Sequence, residues 1–315
     1  MTRVERFHPG TKVSNWASGS IAAPVAVNAT YAAYWAGDGA YSDIEKMLFA
    51  NESMSTLSDS LSVLRYNPAK GGASNNGVAG YISGGRTSGS NWHDTIDKIT
   101  FATDVCAAIS PTMSIIRYAH AGFADSGTAA YWAGAGWSVD DTIDKTVFST
   151  DATAVISPTL SVNRGQFAGL ANSGTAGYWA GGRTNLSSID KTVFSNDATS
   201  VIGPALDTGT GSHCGAADSG TAGYWGSTGN SSTIEKTVFS TDATAAISPT
   251  LTSNSFGASA ASNSGVAMYW AGGNVGSYAT TIDKTVFSND ATSAISTELS
   301  NRAYVGCGLA NCESL

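Results

Sequence analysis

Three sets of side chains in this sequence have the types from which sites are made. An acidic residue followed by Lys occurs six times, at Glu45-Lys46, Asp97-Lys98, Asp144-Lys145, Asp190-Lys191, Glu235-Lys236 and Asp283-Lys284. A carboxylate beside an amine is a pairing that proton transfer uses. Two of the four histidines, His120 and His213, stand five residues ahead of a recurring Asn or Asp, and Lys70 holds the same position in another copy. Converging on an axis, these would suit an anion, or the two imidazoles a metal. Arg65, Arg117, Arg164 and Arg302 recur as well, and guanidiniums brought together clamp a carboxylate. Whether any set can act depends on the elements that hold it.

Those elements repeat. An aromatic segment starts at Tyr34, Tyr81, Tyr131, Tyr178, Tyr224 and Tyr269; Trp follows in five copies and Ile82 in the second. Phe stands three residues after every Lys of the acid-Lys pair. One copy reads as four short strands: "GQFAGLA" (165–171), "AGYWAGG" (176–182), "SIDKTVF" (188–194) and "SVIGP" (200–204). The glycine pair of the second permits backbone angles closed to other residues, and the third alternates apolar with polar side chains. A single sheet of this kind cannot bury both aromatic faces, whereas six stacked about an axis can. The expected fold is an all-β, six-bladed β-propeller with four-stranded blades.

Sixfold recurrence also decides how the chemistry-bearing residues are read. A site needs asymmetry, and a blade needs the same residue every time. Neighbours along a strand point to opposite faces, so the acid and the Lys of one blade cannot pair with each other. They are expected to reach adjacent blades or loops. "S(T/N)DAT" reads as a turn whose Asp accepts local backbone N–H groups, without the oxygen density of a calcium loop. Cys214 and Cys307 share one position and read as small buried hydrophobes. The Arg residues read as hydrogen-bonding loops between blades, and His120, His213 and Lys70 as lining of the axial channel.

Bulk composition narrows the function classes. Only 16 of 315 residues are Lys or Arg, the formal net charge is −8 and no basic run occurs, which argues against nucleic acid as a partner. No apolar run is long enough to span a bilayer, and residues 1–16 lack a secretory pattern. The cysteines and histidines show no metal-ligand spacing. No metal and no cofactor is expected, and the thiols are expected to be reduced.

Units of about 50 residues with a Gly pair after an aromatic strand resemble the Kelch-type propellers. The pair is intact at Gly84-Gly85, Gly181-Gly182 and Gly272-Gly273 and replaced at Asp38, Ala135 and Ser227. The late Trp of a Kelch unit is absent, with Trp beside the Tyr instead. The wording "GYWAGG…IDKTVFS(T/N)DAT…ISPTLS" is similar to repeats of bacteriophage tail and other virion-associated proteins. That resemblance implies a non-enzymatic structural or attachment protein, made in the host cytoplasm, residing in the virion and oligomeric within the particle. Six-bladed sialidases gather three Arg on a carboxylate, but "STDATAVIS" (149–157) lacks the Gly and Trp of their box. The Tyr, His and cross-linked Cys of copper-radical Kelch enzymes are not specified either. The alternatives are a sugar-acting propeller enzyme and a cytoplasmic Kelch-type interaction scaffold.

The ring must close. "NRAYVGCGLAN" (301–311) parallels the first strand "NRGQFAGLAN" (163–172), and "YAAYWAG" (31–37) begins with a second strand. Residues 303–310 are therefore expected to complete the N-terminal blade in preference to "IAAPVAVN" (21–28), where Pro24 removes a donor. This leaves residues 31–315 as the propeller and residues 1–30 as an arm that docks on other virion proteins. In a four-stranded meander the 1–2 and 3–4 turns share one end. Here they are monotonous, while the 2–3 loops at the other end diverge, as binding loops do. Those loops carry Tyr41, Arg86, Trp92, His93, Trp137, Asp140, Asp141, Arg183 and Tyr278, the aromatic and Arg types of interface anchors and sugar-stacking platforms. A host surface glycan or protein receptor is the expected ligand.

Overall fold

A computed structural model describes residues 31–37, 42–65, 72–87, 91–136, 140–183, 185–207, 209, 211–226, 229, 231–274, 276–303 and 306–312. Its 24 strands form six antiparallel four-stranded sheets arranged as blades of a ring. Blade 1 contains β1 (Ala32–Ala36), β2 (Asp43–Leu48) and β3 (Met54–Ser60). Blade 2 runs from β4 (Ala73–Asn75) through β5 (Ala79–Ser83) and β6 (Ile96–Thr100) to β7 (Val105–Ala108). Blade 3 is β8 (Ala121–Asp125), β9 (Ala129–Ala133), β10 (Ile143–Val147) and β11 (Ala152–Val155). Blade 4 is β12 (Ala168–Asn172), β13 (Ala176–Ala180), β14 (Ser188–Val193) and β15 (Thr199–Ala205). Blade 5 is β16 (Cys214–Asp218), β17 (Ala222–Gly226), β18 (Thr233–Val238) and β19 (Ala243–Thr250). Blade 6 is β20 (Ser259–Asn263), β21 (Ala267–Ala271), β22 (Ala279–Val286) and β23 (Thr292–Ala303).

The last strand, β24 (Cys307–Asn311), closes the ring by pairing with β1, from Ala32↔Asn311 to Ala36↔Cys307. The C-terminal segment thus supplies the missing strand, but it starts later than residue 303, because Ala303 still belongs to β23. Other first strands also start late; that of blade 4 begins at Ala168. Residues 1–30, including 21–28, lie outside the described residues.

The core lies between blades. Tyr and its neighbour Trp, adjacent on a second strand, face opposite boundaries. Each Tyr ring stacks on the Phe of the next blade at 4.9–5.5 Å, from Tyr34–Phe101 around to Tyr269–Phe49. This explains a Phe after every acid-Lys pair. Four Trp side chains donate to a third-strand Thr, as Trp179 does to Thr192 at 2.9 Å, and that Thr bonds a fourth-strand Thr. Blade 2 replaces the whole relay with Ile82, Ile99 and Cys106. Blade 1 keeps Trp35 but has Met47 and Met54 in the Thr places, so the buried Trp35 Nε1 has no acceptor.

A second sixfold bond set ties each blade to the next. Lys46 and Tyr34 of blade 1 both donate to Asp104 of blade 2, and the pattern recurs at Asp151, Asp197, Asp242, Asp290 and Glu52, with Nζ–carboxylate distances of 2.6–2.9 Å. The expectation that Lys crosses to the neighbouring blade holds. The reading of the turn Asp does not. Local N–H groups are accepted by the preceding residue, as when Asn196 takes Ala198 N–H, while the Asp points across the boundary. Each of these six acids has φ between 55° and 58°, a left-handed conformation that Asp tolerates better than most residues. Burial first, and then the bond to the carboxylate, pushes the phenols above their ordinary value, Tyr81 up to about 12.

Candidate functional site

The two ends of the ring are built differently. At the end holding the 1–2 turns, serines link blade to blade around the axis. Asn76 N–H donates to Ser126 Oγ, Ser126 N–H to Ser173, Ser173 N–H to Ser219 and Ser219 N–H to Ser264, at 3.0–3.1 Å. Ser264 N–H then meets the Cys312 sulfur. The turn glycines add a parallel set: Gly127, Gly174, Gly220, Gly265 and Gly77 donate to Asn75, Asp125, Asn172, Asp218 and Asn311. The recurring Asn/Asp-Ser-Gly turn is therefore a fastening. Behind it the axial channel is lined by small neutral residues such as Gly122, Gly169, Ala216, Ala260 and Gly308, with Phe123, Leu170 and Leu309.

The histidines proposed for that channel stand elsewhere. His120 and His213 each precede the first strand of their blade by one residue and are fully buried. They pack against the glycine that ends the preceding blade's aromatic strand. A Cβ on Gly84 would lie 2.5 Å from His120, and one on Gly181 2.4 Å from His213. His120 Nε2 bonds Ser83 Oγ at 2.8 Å, and burial together with Arg117 and Arg65 holds its pKa well below 6.5. Lys70 lies outside the described residues. Among the described residues, no three His, Cys, Asp or Glu side chains gather as a metal site requires, and no helix is long and apolar enough to cross a membrane. All four cysteines are free thiols, with Cys214 and Cys307 buried.

The three arginines whose side chains are described do not converge on a common ligand. Arg65, Arg117 and Arg164 lie in the crossovers entering blades 2, 3 and 4, ahead of the first strands, and are fully buried. Each pairs with the third-strand acid of the blade it enters: Asp97, Asp144 at 2.9 Å and Asp190 at 2.9 Å. Each also donates to backbone carbonyls of that blade, as Arg164 does to Gly181 and Ser188. Arg302 falls at the end of β23, outside the residues whose side chains are described. The recurring acids thus fasten crossovers, while the adjoining Lys residues fasten blades.

The divergent 2–3 loops lie at the opposite end from the serine belt, and their residues fall in separate places. Arg86, Trp92 and His93 come together. A short pairing of Arg86 with Trp92 is pinned to the next crossover through His93↔Arg117, with Gly85 N–H on Arg117 O at 2.8 Å and Arg117 N–H on His93 O at 3.0 Å. Over this platform Trp92 meets the Tyr118 ring at 4.8 Å, and the Arg86 guanidinium lies 5.1 Å above it. Burial and Arg65 lower the His93 pKa. Asp140 is committed to Arg117, at 3.3 Å, and to Thr142 N–H. Asp141 accepts Leu160 N–H through its backbone carbonyl. Arg183 sits on the blade 4 loop with its N–H on Gly165 O. Tyr278, 47% exposed, belongs to blade 6. Tyr41 and Trp137 lie outside the described residues.

Sequence reasoning missed an asymmetry beside these loops. The crossovers into blades 2, 3 and 4 read "SVLR" (62–65), "SIIR" (114–117) and "SVNR" (161–164), and they expose Leu64, Ile115, Ile116 and Val162 at 38–50%. The other three read "DTGT" (207–210), "TSNS" (252–255) and "SNRA" (300–303). The crossovers into blades 2, 3 and 4 therefore carry exposed aliphatic side chains on the divergent face, whereas the other three crossovers are polar in sequence. Buried Arg and exposed aliphatic side chains occur in the same crossovers, a signal that aligning those segments against one another would have exposed.

Geometry and fastening together define the class, a six-bladed β-propeller with one uniform end and one irregular end. No protein-family model matches the chain, and no curated protein matches it in sequence.

Proposed function

We propose that this chain is a Kelch-like, non-enzymatic attachment or structural protein of a phage particle. Its propeller is a rigid platform, residues 1–30 dock it on other virion proteins, and the divergent face meets a host surface glycan or protein receptor. The observation that carries this reading is the separation of the two ends. The first described strand starts at Ala32 opposite Asn311, at the end where the other blades have their 1–2 turns. A chain entering there leaves the aromatic- and Arg-bearing loops on the far side, directed away from whatever holds the arm. The pinned Arg86–Trp92–Tyr118 cluster gives that far side an ordered contact surface, and pre-ordering lowers the cost of binding.

The test is a glycan array run with a hydrolysis assay on the same sugars. Stable capture without turnover, weakened at least about tenfold by Trp92→Ala or Arg86→Ala as for interface anchors, supports the platform. Turnover would favour a sugar-acting enzyme. In a second arm, replacing residues 1–30 by a Gly/Ser linker of equal length should abolish recovery of partner virion proteins while leaving glycan capture intact. Unchanged recovery removes the docking role.

A further inference from the structure

The boundary between the last blade and the first holds a buried donor that four other blades would have satisfied. In blades 3 to 6 the second-strand Trp donates to a third-strand Thr, which bonds a fourth-strand Thr. In blade 1 the same three places hold Trp35, Met47 and Met54. The register is the same: Met47 lies between Ala33 and Met54, as Thr192 lies between Gly177 and Thr199. Trp35 is 3% exposed, and among the described residues its Nε1 has no hydrogen-bond partner. It stands opposite Gly308 of β24, on the seam that closes the ring.

The two thioethers differ in access. Met47 is fully buried in one core cluster with Trp35 and with Tyr269, Ile282 and Leu299 of blade 6. Met54, the first residue of β3, packs against that cluster and is only half-buried. The other described methionines, Met113 and Met268, are 2% and 0% exposed. An oxidant in solution therefore reaches Met54 first. A thioether sulfur is a weak acceptor, whereas oxidation turns it into a polar sulfoxide. The turn ahead of Met54 already grips blade 6, with Phe49 stacked on Tyr269 and Glu52 holding Tyr269 and Lys284.

We propose that Met54 is an oxidation site for hydroperoxides, whose sulfoxide oxygen accepts the Trp35 Nε1–H and gives blade 1 the relay that blades 3 to 6 make with Thr pairs. A lone pair on Met54 Sδ attacks the terminal oxygen of a hydroperoxide, ROOH. The S–O bond forms as the O–O bond breaks, and sulfur is oxidised by two electrons. The proton of the attacked oxygen passes to the departing one, which leaves as ROH. Oxidising a core methionine ordinarily plants a polar group without a partner and loosens the packing. Here an unspent N–H is already in place, so the modification tightens the seam between the first and last blades. Its effect is independent of what the divergent face binds.

Graded hydrogen peroxide on the folded full chain tests it, read by peptide mass mapping and melting temperature. Met54 should gain oxygen at least about tenfold faster than Met113 or Met268, since access governs susceptibility. The protein carrying Met54 sulfoxide should melt at or above the temperature of the reduced protein. In Trp35→Phe, which removes the N–H, the same oxidation should lower melting by at least about 2 °C, the shift expected of one unpartnered polar group in a chain of this size. Met54→Leu should show no change with peroxide in either background, which separates Met54 from the thiols. A Met54 that reacts no faster than Met113, or an equal shift in wild type and Trp35→Phe, overturns the proposal.

Discussion

The serine-belt end and the loop end of the same ring hold their blades by opposite means. At the belt end the fastening bonds are numerous, similar and partly wet; the Lys–acid pairs there have side chains 15–32% exposed. Among the described residues at the loop end, three blades each use a buried guanidinium–carboxylate pair at 0% exposure, and hydroxyl or backbone donors serve the acids of the other three. Many modest contacts tolerate the loss of one. A few dry ion pairs do not, since removing one partner leaves a buried charge. The irregular end is thereby free to vary its loops while its crossovers stay anchored.

The largest expected effect comes from breaking a dry pair. Arg164→Met should destabilise the ring by about 3–5 kcal/mol in urea unfolding, whereas Arg164→Met with Asp190→Leu should recover most of the loss. A smaller effect is expected at the belt end, where Asp242→Ala strands Lys191 and Tyr178. Because that pair is partly solvated, about 1–2 kcal/mol is expected, decreasing further in high salt. The smallest contrast lies in the core. Trp179→Phe should cost about 1 kcal/mol through its bond to Thr192, but Trp35→Phe should be neutral or stabilising, because the Trp35 N–H has no acceptor. Comparing melting temperatures of these two variants checks whether the relay matters. An equal loss would show that ring volume alone counts.

The ring and its blade number were readable because Tyr, Lys and Phe recur at nearly constant spacing, and packing between identical sheets demands that recurrence. The partner of each Lys was readable only in kind. Strand alternation forbids Asp190 to Lys191, yet nothing local says that Lys191 ends on Asp242, 51 residues away. The Asp of "NDAT" was misread for the same reason: a turn residue was credited with local bonds that Asn196 makes. His120 and His213 were assigned to the channel from their distance to the first strand's end. The late start of β8 and β16 instead leaves them between blades. On the divergent face, Arg86 and Trp92 were named from type and place, but their meeting on Tyr118 depends on a crossover from the next blade.

The closing strand has a consequence for how the molecule is made. Until Cys307–Asn311 has emerged from the ribosome, β1 presents a bare inner edge, and such an edge invites foreign strands. The five later sheets can collapse as they appear, each from near neighbours. The first sheet must wait until Cys307–Asn311 has been made, a closure of high contact order that makes the final zip the slow event. Deleting the closing strand Cys307–Asn311 should thus show up as inclusion bodies or strand-exchanged dimers rather than as a slightly weaker monomer.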